Sequence, residues 1–501
     1  MAGFVGRARE LRVLSRHLDW VRRGNGDERG RAILLRGRRR VGKSRLVDVF
    51  CEGAGVPYAV YQATRGERPE TERMRFAASV LRSDLPDRRL LEGVQFGDWE
   101  AALRQLAVVL PDDQPSVVVI DELPWLLEQD SSAEGILQTV WDRALSRKPV
   151  LLILIGSDLA MMEQLSTYGR PFHQRAVEMA LSALNPHEVM MMTGLPPAEA
   201  FDAYLITGGL PLICQEWQEG WDRQQFLAHA LDDATSPLLV SGERALAAEF
   251  PAALQARTVL SAIGTGERTF TTIAAKAGAG AHAPLPAGSL SPVLHTLTAK
   301  RIVAVDTPLS TRPGDRDRRY RVADPYLRFW LAFLERNIPE VERGRGDLVI
   351  DCIERSWTSW RGRAIEPIVR ETLGRLMPDQ RLPGAQVVGG WWNRANNPEI
   401  DLIGADRRAP AGRIGFIGSI KWLENSPFGN RELGILARDA QVVPGAEEGV
   451  ALIGVSRSGF AADGLDAMIG PDLLMDAWET PARRAGAETG KDGGHEHTGV
   501  V

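Results

Sequence analysis

The hydrophobic positions of this chain form short continuous runs, helically spaced sets and β-like stretches, and their order outlines several structured regions. Arg31-Ala32-Ile33-Leu34-Leu35-Arg36, Val117-Val118-Val119-Ile120 and Val150-Leu151-Leu152-Ile153-Leu154-Ile155 have almost no polar interruption. Such runs fit strands buried on both faces of a parallel sheet. Helical spacing marks Leu11, Leu14 and Leu18 near the start, and Leu46, Val47 and Phe50 after the first strand. Residues 181–240 read as helical, with Leu181, Leu184, Pro186-His187-Glu188 and a break at Gly208-Gly209-Leu210-Pro211. Residues 245–325 change character. One helix closes over 259–263, a short one spans 271–277, and a third spans 289–300 with Leu290, Val293, Leu294 and Leu297 on its apolar side. Two β runs follow, 302–305 and 319–322, around a tip of Arg312, Asp315, Arg316, Asp317 and Arg318. Three helices and a hairpin give the order of a winged helix, whose third helix can enter a major groove. Here that helix offers only His295, Thr296 and Lys300 as polar readers, and the tip alternates in charge, so a protein-contact role stands beside DNA reading.

The first strand runs into Gly37-Arg38-Arg39-Arg40-Val41-Gly42-Lys43-Ser44 and then a helix. A glycine-bearing loop at a helix N-terminus points backbone N–H groups into one concavity and favours anions. In that setting residues 37–45, Arg45 included, cradle a triphosphate. Lys43 reaches its β- and γ-phosphates, and the Ser44 hydroxyl holds Mg²⁺. The alternative is a basic surface turn. The second strand supplies the partner motif, because Asp121-Glu122 stands at its C-terminal end, where ligands of open α/β sheets bind. Asp121 suits the Mg²⁺ contact, and Glu122 suits a general base or the orientation of an attacking water.

The pattern from Phe4-Val5-Gly6-Arg7-Ala8-Arg9-Glu10-Leu11 to residues 37–44 resembles the AAA+-like ATPases that include the archaeal-type and signal-transducing branches. The resemblance implies that Val5 and Gly6 help form the nucleotide base site; a helix cap and staple is the plain alternative. It implies that Ser157, in Gly156-Ser157-Asp158 after the third strand, senses the γ-phosphate, with Asp158 alternatively a helix cap. It places a transition-state arginine near Tyr168-Gly169-Arg170-Pro171-Phe172 and Arg175, without choosing between Arg170 and Arg175. Tyr204-Leu205-Ile206-Thr207-Gly208-Gly209-Leu210-Pro211 resembles the lid segment of the same group.

Asp324-Pro325-Tyr326-Leu327-Arg328-Phe329-Trp330 is similar to the joint in archaeal-type ATPases that carry a C-terminal restriction-endonuclease-like domain. That resemblance implies a helix with a glutamate, a strand with an aspartate, then a strand with an acid–x–lysine triplet. Glu366, Asp401 and Lys421 fill three positions, while Ser419 stands where the second strand acid belongs. A hydroxyl is a poor substitute for a carboxylate on a hard divalent ion. Glu399 shares a strand face with Asp401 and is one stand-in; Glu424 is a weaker one. A module kept for binding or assembly is the alternative to a nuclease.

Composition narrows this picture little. Of 501 residues 44% are hydrophobic and 25% charged, and 60 basic against 65 acidic side chains give −5. A basic face for nucleic acid would therefore have to be local. Cys51, Cys214 and Cys352 are too few and scattered for a disulfide framework or thiolate metal site. The apolar run 150–156 is far too short to span a bilayer, so a cytoplasmic protein is expected. Residues 485–501, with His495 and His497, read as a disordered, metal-free tail.

The reading is an α/β chain: a P-loop parallel-sheet ATPase core (1–180), a helical lid (181–244), a winged helix (245–325), a degenerate restriction-endonuclease-like domain (345–475) and a disordered end (480–501). ATP and Mg²⁺ are the expected cofactors. DNA, a protein partner or a second copy of the chain are the open partners, and no membrane is expected. The expected function is an ATPase whose nucleotide state controls the C-terminal modules; the alternative is a nucleotide-dependent switch or scaffold that cuts nothing.

Overall fold

The computed structural model describes residues 4–479 apart from 25–27, 158, 166, 168–169, 171–173, 250–253, 282, 313–316 and 394–396. Asp158, Tyr168, Gly169, Pro171, Phe172, Asp315, Arg316 and the tail with His495 and His497 thus lie outside the described residues. The chain divides into two compact units, one ending at Ala183 and one starting at Leu184. Among the described residues no helix is long and apolar enough to cross a membrane.

The first unit is built on a five-stranded sheet. Its strands are β1 (Arg31–Arg36), β2 (Tyr58–Gln62), β3 (Ser116–Asp121), β4 (Val150–Gly156) and β5 (Ala176–Ala180), in the order β2-β3-β4-β1-β5. Every neighbouring pair is parallel. β3 and β4 are buried at every position, as their unbroken apolar runs require. The edge strands β2 and β5 are only partly buried, so neither carries the continuous apolar run that marks the inner three. Helices Pro69–Leu81 and Trp99–Val109 pack near β2 through an aromatic cluster. The Tyr61 and Phe76 rings meet edge-on at 5.3 Å, and Phe76 meets Trp99 at 5.6 Å. These are the offset geometries that aromatic quadrupoles favour.

The second unit opens with helices Pro186–Thr193, Pro197–Thr207, Pro211–Cys214, Arg223–Asp232 and Pro237–Glu249. Gly208 and Gly209 both take positive φ at the second helix's end. A Cβ on Gly209 would lie 2.0 Å from the Leu184 carbonyl oxygen, and one on Gly208 2.6 Å from Tyr326 Cβ, so only glycine fits this junction. Tyr326 also donates its hydroxyl to Leu238 O at 2.8 Å, and the Trp330 indole donates to Leu239 O at 2.9 Å. The joint segment 324–330 is therefore a wedge whose aromatic residues pair carbonyls inside the helical part of this unit.

Helices Leu254–Gly264, Phe270–Ala277 and Ala287–Ala299 precede an antiparallel hairpin, β6 (Val303–Asp306) with β7 (Arg319–Val322). The long helix Gly346–Leu376 leads to β8 (Val387–Trp392), β9 (Glu399–Ala405), β10 (Ile414–Lys421), the two-residue β11 (Phe428–Gly429), helix Asn430–Ala440, β12 (Ala451–Ser456), the two-residue β13 (Phe460–Ala461) and β14 (Ala467–Ile469). The main sheet has the order β14-β12-β10-β9-β8. β8, β9 and β10 form an antiparallel meander, while β10, β12 and β14 are parallel.

A buried charge cluster pins four stretches of this unit together: two helices and the segments that follow β10 and β12. Asp202, on Pro197–Thr207, accepts Arg361 Nη1 at 2.8 Å and Arg457 Nη2 at 3.2 Å, and the Trp422 indole N–H at 3.3 Å. The Arg361 side chain is 1% exposed and also meets Glu424 at 2.6 Å. Removing one member of such a group leaves buried charge uncompensated, which costs roughly 3–5 kcal/mol. Asp202→Ala is expected to lower the stability of this unit by an amount of that order, measured from urea melts of the full chain, whereas Glu371→Ala at an exposed pair should cost about 1 kcal/mol or less.

Candidate functional site

β1 ends at Arg36, whose carbonyl accepts Leu181 N–H at 2.7 Å, and the chain turns at once into the loop 37–42. A Cβ on Gly37 would sit 2.5 Å from Leu181 O, so the close approach of two backbones excludes any side chain there. Arg40 (φ 67°) and Gly42 (φ 87°) both adopt left-handed backbone, and helix Lys43–Gly53 follows. The non-glycine Arg40 in this region is a strained position held by its surroundings.

One side chain braces the loop from outside. Arg7, 4% exposed and itself at φ 61°, donates Nη2 to Val41 O at 2.9 Å and to Ser182 O at 2.7 Å. Gly6 just before it also has positive φ. Arg7 lies inside the quoted Val5-Gly6-Arg7 segment, yet nothing in spacing singles it out, because its role depends on carbonyls 34 and 175 residues away.

Lys43 is buried and donates Nζ to Gly37 O at 2.9 Å and Arg38 O at 3.1 Å. Burial holds its ammonium below the usual lysine value, with the Glu122 and Asp121 charges acting the other way. Beside it, Ser44 Oγ donates to Asp121 Oδ2 at 2.6 Å, and Asp121 Oδ1 accepts the Glu122 N–H at 2.8 Å. Glu122 is a non-glycine residue at φ 54°, which turns the chain from β3 into helix Leu123–Gln129. Its carboxylate accepts Ser157 Oγ at 2.9 and 3.2 Å. Because β4 lies between β3 and β1, the ends of all three strands converge, and Lys43, Ser44, Asp121, Glu122 and Ser157 come together.

The arginines divide differently. Arg170 pairs with Glu134 at 2.6 Å, and Arg175 makes two bonds to Asp142 at 2.8 and 2.9 Å, which raise its pKa. Both acids belong to helix Ala133–Arg143. Each cation is therefore engaged there rather than with the Ser44–Asp121 group. Within the loop, Arg38 and Arg40 are half-buried and Arg39 is exposed, as is Arg45 in the helix's first turn; Val5 and Gly6 are half-buried.

The second unit holds the other candidate cluster. Asp401 Oδ2 accepts Ser419 Oγ at 3.0 Å and Ile420 N–H at 2.9 Å. Burial raises the Asp401 pKa against these bonds. Glu366 is pushed up to about 7, by burial first and by the Asp401 and Glu399 charges, while Arg370, 3.2 Å away, opposes the shift. Lys421 pairs with Glu432 on helix Asn430–Ala440, whose carboxylate also accepts the Gly429 N–H at 3.0 Å; nothing in sequence spacing links the two residues. Glu399 is held by Arg268 at 3.2 Å and by Arg319, whose guanidinium stacks 4.1 Å from the Trp392 ring centroid. Glu424 is drawn to Arg361. Glu399 and Glu424, the two stand-ins for a missing strand acid, are thus each committed to arginines. Among the described residues no group of three or more His, Cys, Asp or Glu is arranged to hold a metal ion.

A family model, DUF234, described as "Archaea bacterial proteins of unknown function", matches residues 330–431, the stretch that carries Glu366, Asp401 and Lys421. An uncharacterized protein of Methanocaldococcus jannaschii is 25% identical over 409 residues, which cover 80% of this chain and 84% of that protein. Among solved structures, a Walker-type ATPase of Pyrococcus abyssi is similar at 18% identity, covering 66% of this chain and 96% of the other, with a TM-score of 0.47. The ORC2 protein of Aeropyrum pernix, in its ADPNP–ADP complexes, is similar at 16% identity over 70% of this chain and 95% of its own, with a TM-score of 0.42.

The Glu366 shift sets a pH test. The native chain keeps this carboxyl protonated up to about 7, whereas the unfolded chain releases the proton at the ordinary carboxylate value. Native protein binds the extra proton between those limits, so stability falls as pH rises through them, by roughly 3 kcal/mol in all. Glu366→Gln should remove this component: the difference in unfolding free energy between variant and wild type, from urea melts at pH 5, 6, 7 and 8, is expected to grow in the variant's favour with pH.

Proposed function

We propose that this chain binds and hydrolyses ATP at residues 37–45, Asp121, Glu122 and Ser157. The observation that carries the proposal is the Ser44–Asp121–Glu122–Ser157 chain of contacts at the convergent strand ends, beside a buried lysine. The donor set fits Mg²⁺, since a hydroxyl and a carboxylate 2.6 Å apart are hard oxygen ligands. Ser44 and Asp121 would hold that ion, which neutralises charge on the β- and γ-phosphates when bound. Lys43 has two of its three protons on loop carbonyls and directs its charge at the phosphates. Glu122 orients and deprotonates the attacking water, and Ser157 holds that carboxylate and responds to the γ-phosphate.

In the second unit, the three helices with their hairpin have winged-helix order. Helix 346–376, the β8–β10 meander, helix 430–440 and parallel β12 have the order of a restriction-endonuclease-like core. We infer that this module binds a partner under control of the nucleotide state and does not cut DNA. Ser419 donates to the very carboxylate that would need a second acid beside it, and Glu432 neutralises Lys421.

Lys43→Ala is expected to weaken ATP binding at least tenfold, about 1.4 kcal/mol, in calorimetric titration. Glu122→Gln should keep binding and lower turnover by roughly 10²–10⁴; unchanged binding in the first or unchanged turnover in the second would sink the ATPase reading. This chain with ATP and Mg²⁺ or Mn²⁺ should leave linear and circular DNA intact. Cleavage that disappears in Asp401→Ala would overturn the binding-module reading alone.

A further inference from the structure

The first unit has a second polar concavity, on the open side of β2. Among the described residues this strand pairs only with β3, and helix Pro69–Leu81 lies beside it. Arg75, Ser79 and Arg82 recur at i, i+4 and i+7, so they form one stripe along that helix. With Gln62 and Thr64 from the end of β2 and Trp125 from helix Leu123–Gln129, they line a cavity of about 650 Å³. That volume is in the range of small-molecule sites, roughly 300–1,000 Å³.

The chemistry of the lining is one-sided. Among the described residues it holds two guanidinium groups and no carboxylate. Arg75 bonds the Thr64 hydroxyl and Arg82 the Ser79 hydroxyl at 3.3 Å, so each arginine's hydrogen bond in the groove goes to a neutral group. Arginines so placed take phosphate oxygens in pairs. Half-buried Trp125 offers an indole to a planar ring.

We propose that this groove binds a small phosphorylated ligand with a planar ring, a nucleoside monophosphate being the class that fits, at a site separate from residues 37–44. Its position gives it a route to the strand ends. Gln62 is the register partner of Asp121, and Ala63 N–H donates to Asp121 O at 3.0 Å. Trp125 N–H donates to Glu122 O at 3.0 Å, within the first turn that Glu122 caps. An occupant pressing on Trp125 therefore acts on the backbone that sets Glu122. The effect on turnover rests on the ATPase reading above; binding to the groove does not.

The test is calorimetric titration of the full chain with AMP, GMP, CMP, UMP and inorganic phosphate, in wild type, in Lys43→Ala, and in Arg75→Gln/Arg82→Gln. At least one monophosphate should bind wild type and Lys43→Ala alike, one per chain, and bind the double variant at least tenfold more weakly. Trp125→Ala should weaken the monophosphate but leave phosphate unchanged. No monophosphate binding at millimolar concentration overturns the proposal, as does binding that the double variant retains. Phosphate binding as tightly as every monophosphate means an adventitious ion only. Binding of oligo(dT) or a polyglutamate peptide without any monophosphate would assign the groove to a macromolecule and equally reject it. Loss of monophosphate binding in Lys43→Ala alone would place the ligand in the phosphate loop instead.

Discussion

The hydrogen bond from Ser44 to Asp121 joins a helix start to a strand end, and the arrangement of the first unit follows from what that contact demands. Inner strands buried on both faces can carry no polar side chains along their length, so polar chemistry is confined to the ends where the backbone turns. For Ser44 and Asp121 to meet, β1 and β3 must stop at the same level with β4 between them, as the registers Arg36 with Gly156 and Ile120 with Leu154 provide. The turns that follow are correspondingly forced. Gly37 has no room for a Cβ, and Arg40 and Glu122 are held in left-handed backbone. Strain of this kind persists only where the surroundings over-determine it, and here buried strands, a buried lysine and a buried arginine all bear on the same few residues.

The second unit meets a different demand. Its helical part and its mixed sheet share charged side chains deep in the fold, with Asp202 and Arg361 buried and Arg457 largely so. Replacing such groups by apolar ones of similar shape is often neutral or stabilising, so their presence is a matter of geometry more than of stability. Arg361 shares one nitrogen between Asp202 and Glu424, and Arg457 one between Glu199 and Asp202. Glu399 takes Arg268 and Arg319 as bidentate pairs, which fix direction as well as distance at β9. The carboxylates that could have supplemented Asp401 thus serve as structural anchors.

Much of the first unit was legible because its signals are local. Val117 to Ile120 and Val150 to Ile155 can only be buried strands, and the loop with its glycines and lysine follows β1 directly. β2 and β5 were not legible, since an edge strand with one partly wet face lacks the unbroken apolar run that marks the inner three. In the second unit three helices and a hairpin are found over 254–322, with Arg319–Val322 at its expected bounds, whereas helix Asn430–Ala440 and β11 to β14 were not foreseen. What the acids and arginines do could not be read there. Glu432 looks like a cap, Glu399 like a free carboxylate and Arg7 like a surface residue, and each acquires its partner only through folding. The same holds for Arg170 and Arg175, whose acids sit on a helix with no motif of its own.

Arg7 has one more implication. Its guanidinium touches Ser182 while its own backbone leads into helix Ala8–Arg23, so this helix and the last residues of the first unit lie within a single side chain's reach. The residue that braces the loop 37–42 thus also fastens the segment after β5 to the helix that precedes β1.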